Sequence, residues 1–104
     1  MKKTAVLEII YSQHLPTETL IMHPNEGFDI GLMTKSHALQ WCTNLAVQDF
    51  LQGQAGDARP IQVSLLNECP PKQIQMNIQH GKQIGMPKKA VMLFDGQRVF
   101  LHSV

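Results

Sequence analysis

A chain of 104 residues holds one domain with a single hydrophobic core and excludes a core with an elaborate second layer. Apolar residues make up 43% and charged residues 16%, against about 25% charged in an ordinary soluble domain; disorder is excluded, and the surface falls to Gln, Asn, Ser, Thr and His. The net charge of +1 is unevenly spread: through Cys69 acidic residues outnumber basic ones, whereas from Pro70 onward Lys72, Lys82, Lys88, Lys89 and Arg98 face Asp95 alone, an asymmetry that can mark a nucleic-acid surface.

The start, MKKTAVLEIIY, has the basic opening of a signal peptide, but Glu8 interrupts it before an apolar region develops. No run approaches the roughly 18 to 20 apolar residues that cross a bilayer. A cytoplasmic protein is expected, with no membrane contact and with Cys42 and Cys69 reduced.

Residues 4–11 alternate in the manner of a first strand, with β-branched and aromatic residues enriched. Pro16 breaks the pattern; a short apolar run, TLIMH, is a second strand, closed by the turn formers of HPNEG. FDIGLM reads as a weak third strand because Gly31 sits in its middle. TKSHALQWCTNLAVQDFLQG has Thr34 or Ser36 as N-cap, no proline, and Gly53 at its end, and so predicts one long helix over about 36–52. Leu39, Cys42, Ala46 and Phe50 would line its sheet-facing side, with Trp41 and Leu45 on a second apolar stripe. The loop 53–60 leads to a fourth strand at 61–68, and Cys69-Pro70-Pro71 stiffens the corner after it.

QIQMNIQH, residues 73–80, puts Ile74, Met76 and Ile78 on one side and Gln73, Gln75, Asn77 and Gln79 on the other. A solvent-facing edge strand is normally blunted by charge or proline, and this one is not. A basic loop, HGKQIGMPKK, follows, and the chain closes on a hairpin whose Asp95-Gly96 favours a tight turn. In that hairpin Met92 and Phe94 share a face with Val99 and Leu101. No internal repeat is discernible. The element order β-β-(β)-α-β-β-β-β predicts an α+β domain spanning 1–104: a mostly antiparallel sheet of five to seven strands packed against one long helix.

No nucleotide-binding, hydrolase or metalloprotease motif occurs, and no two of the seven His and Cys residues stand at the close spacing of a metal pair. His37 and Cys42, five apart on the expected helix, could not meet. Neither cofactor nor metal is expected, nor is catalysis. Neutral amides lose less on desolvation than charges do and hydrogen-bond to each other. Trp41, Leu45, Gln73, Gln75, Asn77 and Gln79 are therefore expected to form a contact surface, for a second copy of the chain or for another protein. Nucleic-acid binding through Lys72, Lys82, Lys88, Lys89 and Arg98 is the alternative, and a small-ligand pocket between helix and sheet is a further one.

Overall fold

The computed structural model describes residues Met1–Val104. In chain order its elements are β1 (Lys2–Lys3), β2 (Leu7–Ser12), β3 (Thr19–Met22), α1 (Pro24–Asp29), β4 (Ser36–Thr43), α2 (Val47–Leu51), β5 (Asp57–Leu65), β6 (Gln73–Asn77), α3 (Ile78–Gln83), β7 (Lys89–Phe94) and β8 (Arg98–Ser103). Seven strands close a barrel in the order β7-β2-β6-β3-β5-β4-β8, with β8 returning to β7, and β1 pairs with β7 outside the ring. Closure leaves the ring with no free edge.

This corrects the expected α+β architecture. No long helix exists: the longest spans six residues, and the region expected to be helical divides in two. Ser36–Thr43 is a strand paired with β5 along its whole length, from Ser36↔Ser64 to Thr43↔Asp57. Asn44 then turns the chain at φ 62°, a left-handed conformation that Asn tolerates better than most residues. Only Val47–Leu51 is helical, with Gly53 at φ 93° just beyond it. The spacing of Leu39, Cys42, Ala46 and Phe50 mimics a helical stripe because two elements share it. Within β4, His37, Leu39 and Trp41 alternate with the exposed Ala38 and Gln40, a period of two that pairing with β5 selects. The expected third strand likewise dissolves into the end of α1 and a turn at Gly31, φ 85°.

The chain also contains a repeat. An offset of 54 residues carries β2 onto β5, β3 onto β6 and α1 onto α3. The pairings obey it: Glu8↔Gln73 in the parallel β2–β6 ladder becomes Thr19↔Gln62 in β3–β5, and the antiparallel β3–β6 pair exchanges Leu20↔Met76 for Met22↔Ile74. At this offset the pairs Pro16/Pro70, Met22/Met76, Gly27/Gly81, Ile30/Ile84 and Gly31/Gly85 are identical. The two units interlock. A Cβ on Gly27 would lie 2.5 Å from Leu65 Cδ1 on β5, and one on Gly81 would lie 2.3 Å from Tyr11 Cε1 on β2, so each helix crosses the first strand of the opposite unit at a distance only glycine allows. The symmetry ends beyond the helices: Leu7 faces Ala90, whereas Ile61 faces Leu39, three residues later than the offset requires.

Leu7, Ile9, Leu20, Met22, Ile61, Val63, Ile74 and Met76 fill the barrel interior together with Trp41 and Met92. Outside the wall, α2 covers a smaller cluster of Cys42, Phe50, Leu93 and Phe100, which accounts for the two apolar faces of the C-terminal hairpin. In that hairpin Met92 pairs with Leu101 and Phe94 with Val99, and the Asp95 carboxylate closes the turn by accepting from the N–H groups of Gln97 and Arg98. No helix is long and apolar enough to cross a membrane.

Candidate functional site

The strand expected at 73–80 is neither an edge nor a continuous strand. β6 lies between β2 and β3, and at Asn77 the chain turns into α3. The Asn77 Oδ1 accepts from the Gln79 N–H at 2.8 Å, capping the helix, and its Nδ2 donates to the Leu15 carbonyl at 2.6 Å. Asn77 is buried in these bonds. Gln73 and Gln75 are half-buried on the outer wall, where Gln75 stands between Ile10 and Ile21. Trp41, expected on an unpartnered stripe, is 2% exposed inside its own subunit. Leu45 is half-buried in a groove with Val47 and Phe100. Of the six expected interface residues, Trp41 lines that groove with Leu45 and a separate cleft with Gln79.

The basic residues are partly engaged. Lys72 Nζ lies 3.5 Å from Glu26 Oε1, Arg98 Nε lies 2.7 Å from Asp95 Oδ2, and Lys89 is the cross-strand neighbour of Glu8. Lys82 on α3 and Lys88 just before β7 are exposed and without ion pairs.

The Trp41–Gln79 cleft has a volume of about 170 Å³, and Thr17, Glu18, Arg59, His80 and Gln83 complete its polar lining. Trp41 comes from β4, held between Arg59 of β5 and Val99 of β8. His80 comes from α3, which the Gly81–Tyr11 contact presses onto the barrel. The two rings meet at a centroid distance of 4.6 Å and an interplanar angle of 53°. The Trp41 Nε1 and the His80 Nδ1 are both enclosed and have no hydrogen-bond partner. They are the only such side-chain atoms in the protein, and an enclosed polar group without a partner costs about 1–3 kcal/mol.

Burial of its ring holds the His80 pKa below the ordinary histidine value, and the positive charge of Arg59 adds to this while Glu18 opposes it. The imidazole is therefore neutral at pH 7 and can both donate and accept. Arg59 and Glu18 are themselves exposed, and neither belongs to either of the protein's ion pairs.

The repeat supplies an internal comparison. Glu26 stands at the position equivalent to His80, and Lys72 at that equivalent to Glu18. In the first unit the buried Glu26 carboxylate is satisfied: Oε2 accepts from the Lys72 N–H at 3.2 Å and Oε1 meets the Lys72 ammonium. In the second unit the charges are exchanged and the contact is not made. A groove of about 640 Å³ shares Glu18 and Pro60 with the cleft and is lined also by Gln40, Gln62 and Gln97; it holds no enclosed, unpartnered atom. Glu18, Arg59 and His80 are not among the expected site residues, although the paired segments EGFDIG and HGKQIG, with Glu and His at one position, carry the signal.

Comparison with family models, with curated proteins and with solved structures finds no match to this chain.

Proposed function

We propose that the protein is a binding domain for a small polar solute, taken up in the cleft over Trp41 and His80. The observation that carries this is the pair of enclosed, unpartnered nitrogens in ring contact beneath a cleft flanked by unpaired Arg59 and Glu18. Ligand sites combine aromatic lining with a small number of placed polar groups that fix orientation, and Trp41, His80, Arg59 and Glu18 supply both here. Binding is favoured over reaction: neither cysteine lines the cleft, and burial raises the pKa of both thiols, which keeps them protonated and poorly nucleophilic.

Trp41 is the single tryptophan of the chain, so its emission reports on this cleft and on the groove it shares with Leu45 and Phe100. A panel of small metabolites should contain compounds that shift that emission and raise the melting temperature together. A panel that moves neither leaves the proposal without support.

A second reading is retained for the outer wall of β6, where Gln73 and Gln75 lie beside half-buried Ile10 and Ile21 with no charge on that strand. Such a neutral surface suits a second copy of the chain or another protein. Light scattering of the wild type against Gln75→Lys tests it: an oligomer that the substitution dissociates is expected, and a monomer in both proteins removes it.

A further inference from the structure

We infer that the solute is a small zwitterion of the amino-acid type, its carboxylate held by Arg59 and its ammonium by Glu18. This rests on the cleft being a ligand site and goes beyond it by naming the chemistry. Glu18 immediately precedes β3, and Arg59 lies on β5, the strand that β3 pairs with in parallel. Thr19 is level with Gln62, which puts Glu18 level with Ile61 and Arg59 two residues further along. From a strand rise of about 3.3 Å and an interstrand spacing of about 4.8 Å, the two backbones are about 8 Å apart at these positions. Both side chains line the same cleft, yet no ion pair joins them. Opposite charges so placed are bridged by a molecule that carries both signs a few ångströms apart.

The alternatives fit less well. A simple anion satisfies Arg59 but is repelled by Glu18, and a simple cation meets the reverse. A neutral solute leaves both ions with no partner but water. A zwitterion gives each a charge-assisted hydrogen bond, the stronger kind. The neutral His80 suits this as well, since an imidazolium would add a second positive charge beside Arg59. At about 170 Å³, the cleft has room for roughly half a dozen water-sized groups, enough for the backbone atoms of one amino acid.

The test is a titration followed by Trp41 emission and by the ring protons of His80, with glycine, L-alanine and L-serine set against acetate, ethylammonium and propionamide. The zwitterions should bind at least tenfold more tightly than all three comparison compounds. Arg59→Gln and Glu18→Gln should each weaken zwitterion binding at least tenfold at unchanged melting temperature, and Arg59→Gln should leave ethylammonium binding in place. If acetate or propionamide binds as well as alanine, or if neither substitution matters, the zwitterion assignment is overturned while the cleft stands as a ligand site. If no compound of this set or of a broader metabolite panel moves either signal, the cleft itself is not one.

Discussion

Replacing Gly81 by alanine probes both the interlock of the two units and the seat of His80. The new Cβ would stand 2.3 Å from Tyr11 Cε1, 2.6 Å from Cδ1 and 2.8 Å from Met86 Sδ, whereas carbon atoms sit comfortably at about 3.5 Å or more. Clearing Cε1 therefore requires a displacement of roughly 1.2 Å. Met86 can bend away, but the Tyr11 ring is tethered at its far end, where its hydroxyl donates to the Pro87 carbonyl. The helix must move instead. Overpacking of this kind costs about 1–3 kcal/mol, and the better helix propensity of alanine returns up to about 1 kcal/mol. From the middle of the first range the net loss is about 1 kcal/mol or a little more, and a domain of this size loses about 4–8 °C of melting temperature per kcal/mol. Thermal unfolding measures the loss. Because α3 carries His80, its displacement also loosens the ring contact with Trp41, and the emission of the folded state should change. Gly27→Ala, pressing on Leu65 in the other unit, should destabilise by a similar amount and leave Trp41 emission alone. A Gly81→Ala protein that melts at or above the wild-type temperature with unaltered emission would refute the close crossing and its link to the cleft.

The two equivalent buried polar residues should respond oppositely to the same substitution. His80→Leu removes an unpartnered nitrogen and should raise stability by up to about 1–3 kcal/mol in urea titrations while abolishing any ligand response; Glu26→Leu strips Lys72 of its partner and should lower stability. With its folded pKa below the unfolded value, His80 binds fewer protons in the native state. Its contribution is therefore complete above the usual histidine value of about 6.5 and is lost as pH falls through that value toward the lower folded one. Melting temperatures across pH 7.5 to 5 should show this decline in the wild type and a shallower one in His80→Leu. Cys42 and Cys69, buried with raised pKa, should react with a thiol reagent no faster than the protein opens, so labelling rates should follow global stability; rapid labelling of the native protein would contradict their burial. If the Lys82–Lys88 region binds nucleic acid, retention on heparin should fall steeply with salt, and elution at low salt would exclude it.

Most strands were legible from alternation alone. β2, β3 and the hairpin β7–β8 fall where period-two patterns and the Asp95-Gly96 turn put them, and of the strand expected at 73–80 residues Gln73–Asn77 are extended while Ile78 opens α3. The helix at 36–52 was misread for a definite reason: an apolar strand followed by a short apolar helix spaces its buried residues as a single helix would. What separates the two is Asn44 at positive φ and eight residues of pairing with β5, both tertiary facts. The repeat was equally hidden, because apart from Gly, Ile, Met and Pro at five positions its two copies share pattern and not identity. Closure of the ring was beyond local signals, and with it went the expectation of an exposed amide edge, since β6 has a neighbour on either side.

The site follows from the way the two units differ. Both bury one ionisable residue at the same place, just ahead of the glycine that crosses the opposite unit, so the fold tolerates a polar group there only under a cover. Glu26 receives its cover from Lys72, whose backbone N–H and ammonium both reach it. Strict symmetry would have given His80 the same from Glu18, with charges exchanged, and an imidazolium–carboxylate pair would have closed the second unit as it closed the first. Two features of the second unit oppose that pair. Burial of His80, and after it the charge of Arg59, lowers its pKa, and Trp41 from β4 takes up one face of its ring. Neutral and held by an aromatic contact, His80 has no charge with which to draw in Glu18, and the carboxylate stays in solvent opposite Arg59. The second unit thus differs from the first at the residues around its buried polar group, and beside the cleft lie the only enclosed side-chain atoms that the protein does not itself satisfy.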